Sequence, residues 1–363
     1  MNESALASLS PKQKGLIERF QSGQPLALSR VISHVENHRP GFESMLEALH
    51  GAVGRARRVG ITGPPGAGKS TLTAALARWY RERDLTVGII AVDPSSPFTG
   101  GALLGDRVRM DDLATEPGIF IRSMASRGSH GGLAASTRET ADLLDAFGFD
   151  RILLETVGVG QSELEVASSA DSTLVVLVPE SGDGIQAMKA GLMEVADLFA
   201  VNKADRPGAD RLKREIEIVL ALRSGKPGRP AAGHHGVDLS SLRAGREDPP
   251  EEERAGVPDD VWEVPVIPCV ASRSEGVEEV AETLEEHFRW LEASGRLADG
   301  RRAQAREHAR LVLERAMGRQ AMQAWESWLA TEGADRELES RSPYAISRTV
   351  LSEVWPDAPT AES

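Results

Sequence analysis

Gly63-Pro64-Pro65-Gly66-Ala67-Gly68-Lys69-Ser70, followed by Thr71, fills every position of the G-x-x-x-x-G-K-[ST] pattern. It follows the apolar run 57–62 (RRVGIT) and opens a helix-like stretch, the strand-loop-helix setting that gives the pattern its meaning. The glycines let successive backbone N–H groups converge on phosphate oxygens. Lys69 is placed to reach the outer phosphates, the Ser70 hydroxyl to join a Mg2+ shell, and the helix N-terminus adds a favourable field. This stretch predicts a nucleoside-phosphate site.

Working outward, short β-rich runs ending in Gly, Asp or Pro alternate with helical stretches. Strands are expected near 57–62, 86–93, 118–124, 150–156, 171–178, 196–202 and 264–270, and helices near 69–83, 132–147, 185–195, 208–222 and 276–292. Such alternation predicts an α/β fold with a mostly parallel central sheet, helices on both faces, and ligands at the carboxyl ends of the strands. Residues 1–55 read as an N-terminal helical segment whose apolar positions (Leu16, Ile17 and Phe20; Leu28, Val31, Ile32 and Val35) are spaced by threes and fours. The core domain is expected over 56–292, with a mobile Gly/Pro/charge-rich insertion at 223–260. A C-terminal helical extension over 293–363 contains a long amphipathic helix expected at 301–332.

The phosphate loop does not choose the base, but a later strand end does. Residues 198–201 (LFAV) run into Asn202-Lys203-Ala204-Asp205. A carboxylate such as Asp205 accepts hydrogen bonds from guanine N1–H and its exocyclic amine, which adenine cannot supply. Asn202 and Lys203 would brace the loop and stack on the base. A second base-side loop is expected at Ala271-Ser272-Arg273, after the next strand, with a backbone N–H as the contact. Together these motifs predict a P-loop GTPase that binds GTP and GDP.

Composition narrows the remaining classes. Lys plus Arg number 42 against 55 Asp plus Glu, a net charge of -13, which argues against broad binding to nucleic acid. The one cysteine, Cys269, cannot form an internal disulfide or a thiolate metal cluster. The first nineteen residues have no signal-peptide core, and no apolar run reaches bilayer-spanning length. A cytoplasmic protein without membrane attachment is the expectation.

Acidic residues at strand ends supply candidate Mg2+ ligands: Asp93 in 91–96 (AVDPSS), Asp106 in 103–107 (LLGDR) and Glu155 in 153–158 (LLETVG), together with Ser70. Glu155 to Gly158 stand where G proteins carry Asp-x-x-Gly, so the Gly158 N–H is placed to sense the γ-phosphate. Catalysis is then mostly positioning and electrostatics by Lys69, Mg2+ and loop N–H groups. Gln161 lies beyond the usual water-orienting position and reads as structural. Arg107, Arg109 and Lys189 are candidate cationic contributors.

The strings 92–96 (VDPSS), 101–110 (GALLGDRVRM), 155–163 (ETVGVGQSE) and 202–205 (NKAD) together resemble the MeaB/ArgK group of SIMIBI-class GTPases, the methylmalonyl-CoA mutase-associated G proteins, over about residues 40–222. The resemblance implies a G-protein chaperone that gates adenosylcobalamin loading into a cobalamin-dependent acyl-CoA mutase and protects or reactivates it. It also implies a homodimer through the C-terminal helices, Asp106 within the first switch (106–110), a second switch at 157–163, and a third at 179–189 that ends on Lys189. Two other readings compete. A nickel-insertion GTPase would need a metal relay from His130, His234, His235 or Cys269, and a kinase would need a catalytic base and an acceptor pocket that the sequence does not display.

Overall fold

The computed structural model describes residues 3–94, 113, 115–126, 132–156, 166–179, 192–223 and 261–355. It divides into two compact units, Met1–Arg301 and Arg302–Ser363.

The first unit is built on seven strands: β1 (Arg57–Thr62), β2 (Val87–Pro94), β3 (Ile119–Ser126), β4 (Arg151–Thr156), β5 (Ser172–Leu177), β6 (Leu198–Val201) and β7 (Val266–Pro268). They lie in the order β3-β2-β4-β1-β5-β6-β7, and each neighbouring pair is parallel. The chain is therefore the α/β P-loop fold that the alternation predicts. Because every strand runs the same way, Thr62, Thr156, Leu177, Val201 and Pro268 end on one rim.

The strands are mostly apolar in their interiors because both faces are covered, with arginines such as Arg57, Arg58 and Arg151 at their starts. Successive side chains point to opposite faces. Thus Val59, Ile61, Ile89 and Leu153 share a cluster with Leu72, Leu76 and Tyr80 of α5 (Lys69–Arg81). Ile90, Val92, Ile152 and Leu154 point the other way. The helices available to that second face are α1 (Glu3–Ser8), α2 (Pro11–Gln21), α3 (Pro25–Glu36), α4 (Phe42–Leu49) and α6 (Gly132–Phe147). Leu28, Ile32, Met45 and Leu144 from these helices close the cluster, and Phe20 meets Phe147 edge-on at 5.1 Å. The N-terminal helices thus share a core with the sheet. Each fully buried Leu, Ile, Val or Phe contributes about 1.5–3 kcal/mol.

Toward the far edge, α7 (Leu192–Val195) and α8 (Ala209–Arg223) cover Phe199 and Val201. Only 192–195 of the helix expected over 185–195 falls within the described residues, and the insertion from 224 to 260 lies outside them. Helix α9 (Val277–Ala293) returns across the α5 face, bringing Leu284 and Phe288 into that cluster.

Helix α10 (Arg296–Leu329) begins five residues before the expected 301. Its apolar residues do not gather on one buried face: Val312, Leu313, Met317 and Met322 are exposed, and Trp328 is buried. In the second unit, α11 (Ala334–Ser340) and α12 (Pro343–Val354) close a small core of Trp328, Ala334, Ile346 and Val350, with Trp325 stacked on Trp328 at 5.3 Å. No described helix is long and apolar enough to cross a membrane.

Candidate functional site: a nucleotide site on the sheet rim

The loop from Gly63 to Gly68 joins β1 to α5. Gly63 has φ of +138°, and a Cβ there would sit 2.1 Å from the Val176 carbonyl oxygen on the neighbouring strand, so the loop crosses β5 without room for a side chain. Gly68 has φ of +84°, and a Cβ there would meet the Asn202 amide at 2.4 Å. Pro64 and Pro65 carry no N–H, and Ala67 N–H already donates to Pro64 O at 3.2 Å. The prolines therefore shape the loop. Donors for phosphate come from Gly66, Gly68 and the first turn of α5 at Lys69, Ser70 and Thr71, where N–H groups have no partner within the helix.

Lys69 is only 6% exposed. Its ammonium donates to the Gly63 carbonyl at 2.6 Å and the Pro64 carbonyl at 3.0 Å, which holds the charge beneath the loop. Ser70 Oγ donates to Glu155 Oε1 at 2.5 Å. Glu155 reaches that position because β4 lies between β1 and β2, with Glu155 opposite both Ile61 and Ala91. One residue on, Thr156 Oγ1 meets Thr62 Oγ1 at 3.3 Å. The structure thus joins Ser70 to Glu155, with Lys69 held beneath the loop by the Gly63 and Pro64 carbonyls. Asp93 is the penultimate residue of β2, and its carboxylate is outside the described atoms, as are Asp106, Gly158, Gln161, Arg107, Arg109 and Lys189 entirely.

The base side is organised by Asn202, buried at the end of β6. Its Nδ2 donates to Ala67 O at 2.8 Å. Its Oδ1 accepts from Lys203 N at 2.8 Å and Ala271 N at 3.1 Å. Lys203, at φ of +56°, sends Nζ to the Gly66 carbonyl at 2.9 Å. The N–H of Ala271 is engaged by Asn202, which ties the second base-side loop, Ala271-Ser272-Arg273, to the first. Arg273 Nη1 lies 3.6 Å from Asp205 Oδ2 and its Nε 2.8 Å from Glu275 Oε1.

Sequence reasoning missed Cys269. It is buried beneath this loop with Sγ 3.7 Å from Asn202 Oδ1, its carbonyl accepts from Ala204 N at 3.0 Å, and burial pushes the thiol up to about 12. It therefore stays a neutral spacer between the two base-side loops. Its place just after the last apolar strand was the available signal.

A phosphate loop and a guanine-type Asn-Lys-x-Asp turn, tied together on the carboxyl rim of a parallel sheet, define a P-loop GTPase. Comparison with known proteins agrees. Residues 28–326 match the family described as methylmalonyl-CoA mutase-associated GTPase MeaB. A Pyrococcus horikoshii protein named as a GTPase is 44% identical over 298 residues, covering 82% of this chain and 84% of the relative. GTPase ArgK of Escherichia coli is 35% identical over 302 residues, 82% of each chain. A crystal structure described as an LAO/AO transport system kinase superposes with a TM-score of 0.60 at 27% identity, covering 98% of this chain and 99% of the other. The chain belongs to the MeaB family, and it is a GTPase.

Proposed function

We propose that this GTPase is the G-protein chaperone of a cobalamin-dependent acyl-CoA mutase of the methylmalonyl-CoA mutase type, gating adenosylcobalamin loading and protecting or reactivating the enzyme. The observation that carries the reading is the match to a mutase-associated family over 28–326, with the phosphate and base motifs of that site intact. The protein would act in the cytoplasm as a homodimer through its C-terminal helices.

In hydrolysis, Lys69 neutralises charge that builds on the transferring phosphoryl group, and the N–H groups at the start of α5 hold the phosphates in line with the attacking water. Mg2+ fits the donor set: Ser70 Oγ and Glu155 Oε1 lie together, both hard oxygens, beside the first turn of α5. When bound, the ion would supply further charge neutralisation at the phosphates. Ser70 and Glu155 would hold it, directly or through water. Asn202 keeps the phosphate loop and base loop in fixed register, and Asp205 selects guanine.

The test is steady-state hydrolysis of GTP and ATP, alone and with an adenosylcobalamin-dependent acyl-CoA mutase from the same organism. GTP-selective turnover that rises with the mutase supports the proposal. GTP turnover indifferent to every such mutase would retain the GTPase and remove the chaperone role. Lys69→Ala should abolish tight GTP binding.

A further inference from the structure

A second cavity, of about 810 Å³, opens among the N-terminal helices between α2, α3 and the turn that follows α3, and it shares no residue with the phosphate loop. Four cations line it: Lys12 and Arg19 from α2, Arg30 from α3 and Arg39 from the turn. Among the described residues none of the four side chains makes an ion pair or hydrogen bond, whereas Arg57, Arg58, Arg122, Arg151 and Arg301 of the same unit each meet a carboxylate. Among the described residues, no acidic side chain lines the cavity. This is a local concentration of unmatched positive charge in a chain whose net charge is -13.

The turn is fixed in place from both helices. Gln13 Nε2 donates to the Pro40 carbonyl at 2.7 Å, and His34 Nε2 donates to the same oxygen at 2.9 Å. The backbone N–H of Arg39 closes on His34 O at 3.1 Å. The backbone that carries Arg39 is therefore held in a fixed turn, and Arg39 lines the same concavity as Arg30 and Arg19. Like charges lining one cavity repel, and a polyanion bound among them would offset the repulsion. The guanidinium fork suits phosphate oxygens, and the Ser29 and Ser33 hydroxyls on the wall offer neutral donors. The volume is that of a small-molecule site.

We propose that this cavity is a second anion site that takes a small molecule carrying two or more phosphate groups. It is separate from the GTP site and does not depend on the mutase reading.

The experiment uses the full chain saturated with GDP, so that the phosphate loop is filled, titrated calorimetrically with inorganic tripolyphosphate at matched free Mg2+. One equivalent binds, with affinity that falls as salt is raised. The Arg30→Ala/Arg39→Ala variant binds at least about tenfold more weakly, while its GDP affinity and GTP turnover match the wild type. Arg30→Lys/Arg39→Lys recovers part of the affinity, because the charge returns without the fork. Both arginines are exposed, so these variants leave the core untouched. No binding to the GDP-loaded protein, or binding undiminished by the double alanine variant, would overturn the site. Poly-glutamate that binds as tightly as tripolyphosphate, and is lost in the same variant, would overturn the ligand class in favour of an acidic peptide.

Discussion

The side-chain amide of Asn202 donates to the Ala67 carbonyl at 2.8 Å, joining the base-reading strand end to the phosphate loop. Because its oxygen also accepts from Ala271 N, one side chain sets the distance between three loops. Asn202→Ala leaves a buried carbonyl and a buried N–H unmatched, at about 1–3 kcal/mol each. The expected result is a loss of tenfold to a hundredfold in affinity for both GDP and GTP, read by calorimetry, with the fold intact by circular dichroism. Asn202→Asp turns a carboxylate against the Ala67 carbonyl and should do no better. Unchanged nucleotide affinity in Asn202→Ala would refute this role.

Gly63 offers a harsher test. An alanine there would place Cβ 2.1 Å from the Val176 carbonyl oxygen, at a φ of +138° that L-residues rarely adopt. The neighbouring atom belongs to a strand backbone and cannot swing aside. Gly63→Ala should lose detectable nucleotide binding and melt several degrees lower by calorimetric scan. A variant that binds GDP normally would show that the loop crosses β5 differently.

Ser70 and Glu155 are linked at 2.5 Å, and the proposed function puts both on the Mg2+ ion. Glu155→Gln keeps the size and one acceptor oxygen but removes the charge. GDP affinity without Mg2+ should change less than about threefold, while kcat falls about a hundredfold and more Mg2+ is needed for half-maximal rate. Equal Mg2+ dependence in variant and wild type would place Glu155 outside the metal site.

Much of this was legible in the sequence because the signals were local. Each strand of the sheet could be read from a short apolar run with a breaker after it, and the phosphate loop from eight contiguous residues. The roles decided by packing were less legible. Nothing in the order of residues says that the N–H of Ala271 is consumed by Asn202, or that Cys269 lies beneath both. Those facts depend on β6 and β7 being neighbours. The extent of the long helix was legible, but which of Val312, Met317 and Met322 are covered within the chain is decided by packing, and all three are exposed on it.

Arg301 ends the first unit with a bidentate contact, Nε and Nη2 each 2.8 Å from an Asp171 oxygen, and Asp171 also accepts from Arg58 N at 3.0 Å. The carboxylate is almost fully buried, at 1% side-chain exposure. Removing one partner strands the other, so Asp171→Ala should lower unfolding stability by about 3–5 kcal/mol in urea. GTP turnover at a temperature where the variant is folded should stay unchanged, since the pair lies at the opposite end of β5 from the nucleotide rim. A loss below about 1 kcal/mol would mean that solvent already screens the pair.

His287 and Asp197 predict a pH response that the wild type conceals. His287 is buried, its Nδ1 2.7 Å from Ser172 Oγ and its Nε2 3.6 Å from Asp197 Oδ1, with Trp262 and Trp290 against its ring. Burial pulls the imidazole down to about 4 and pushes the Asp197 carboxyl up to about 6. The contact is therefore not an ion pair at neutral pH, because the imidazole is uncharged there. Between the ordinary histidine value and about 4, the unfolded chain binds the imidazole proton and the native chain does not, so this group lowers stability as pH falls, by roughly 3 kcal/mol in total. Asp197 has the opposite sign: between about 6 and the ordinary aspartate value the native chain binds the extra proton, so stability rises as pH falls. The two slopes oppose each other over about pH 4–6. Asp197→Asn leaves the histidine slope alone and should become more acid-labile than wild type across that window, whereas His287→Asn should become less so. Urea unfolding at pH 7, 5.5 and 4.5 measures both, and parallel profiles for the two variants would show that the burial of this pair does not govern its titration.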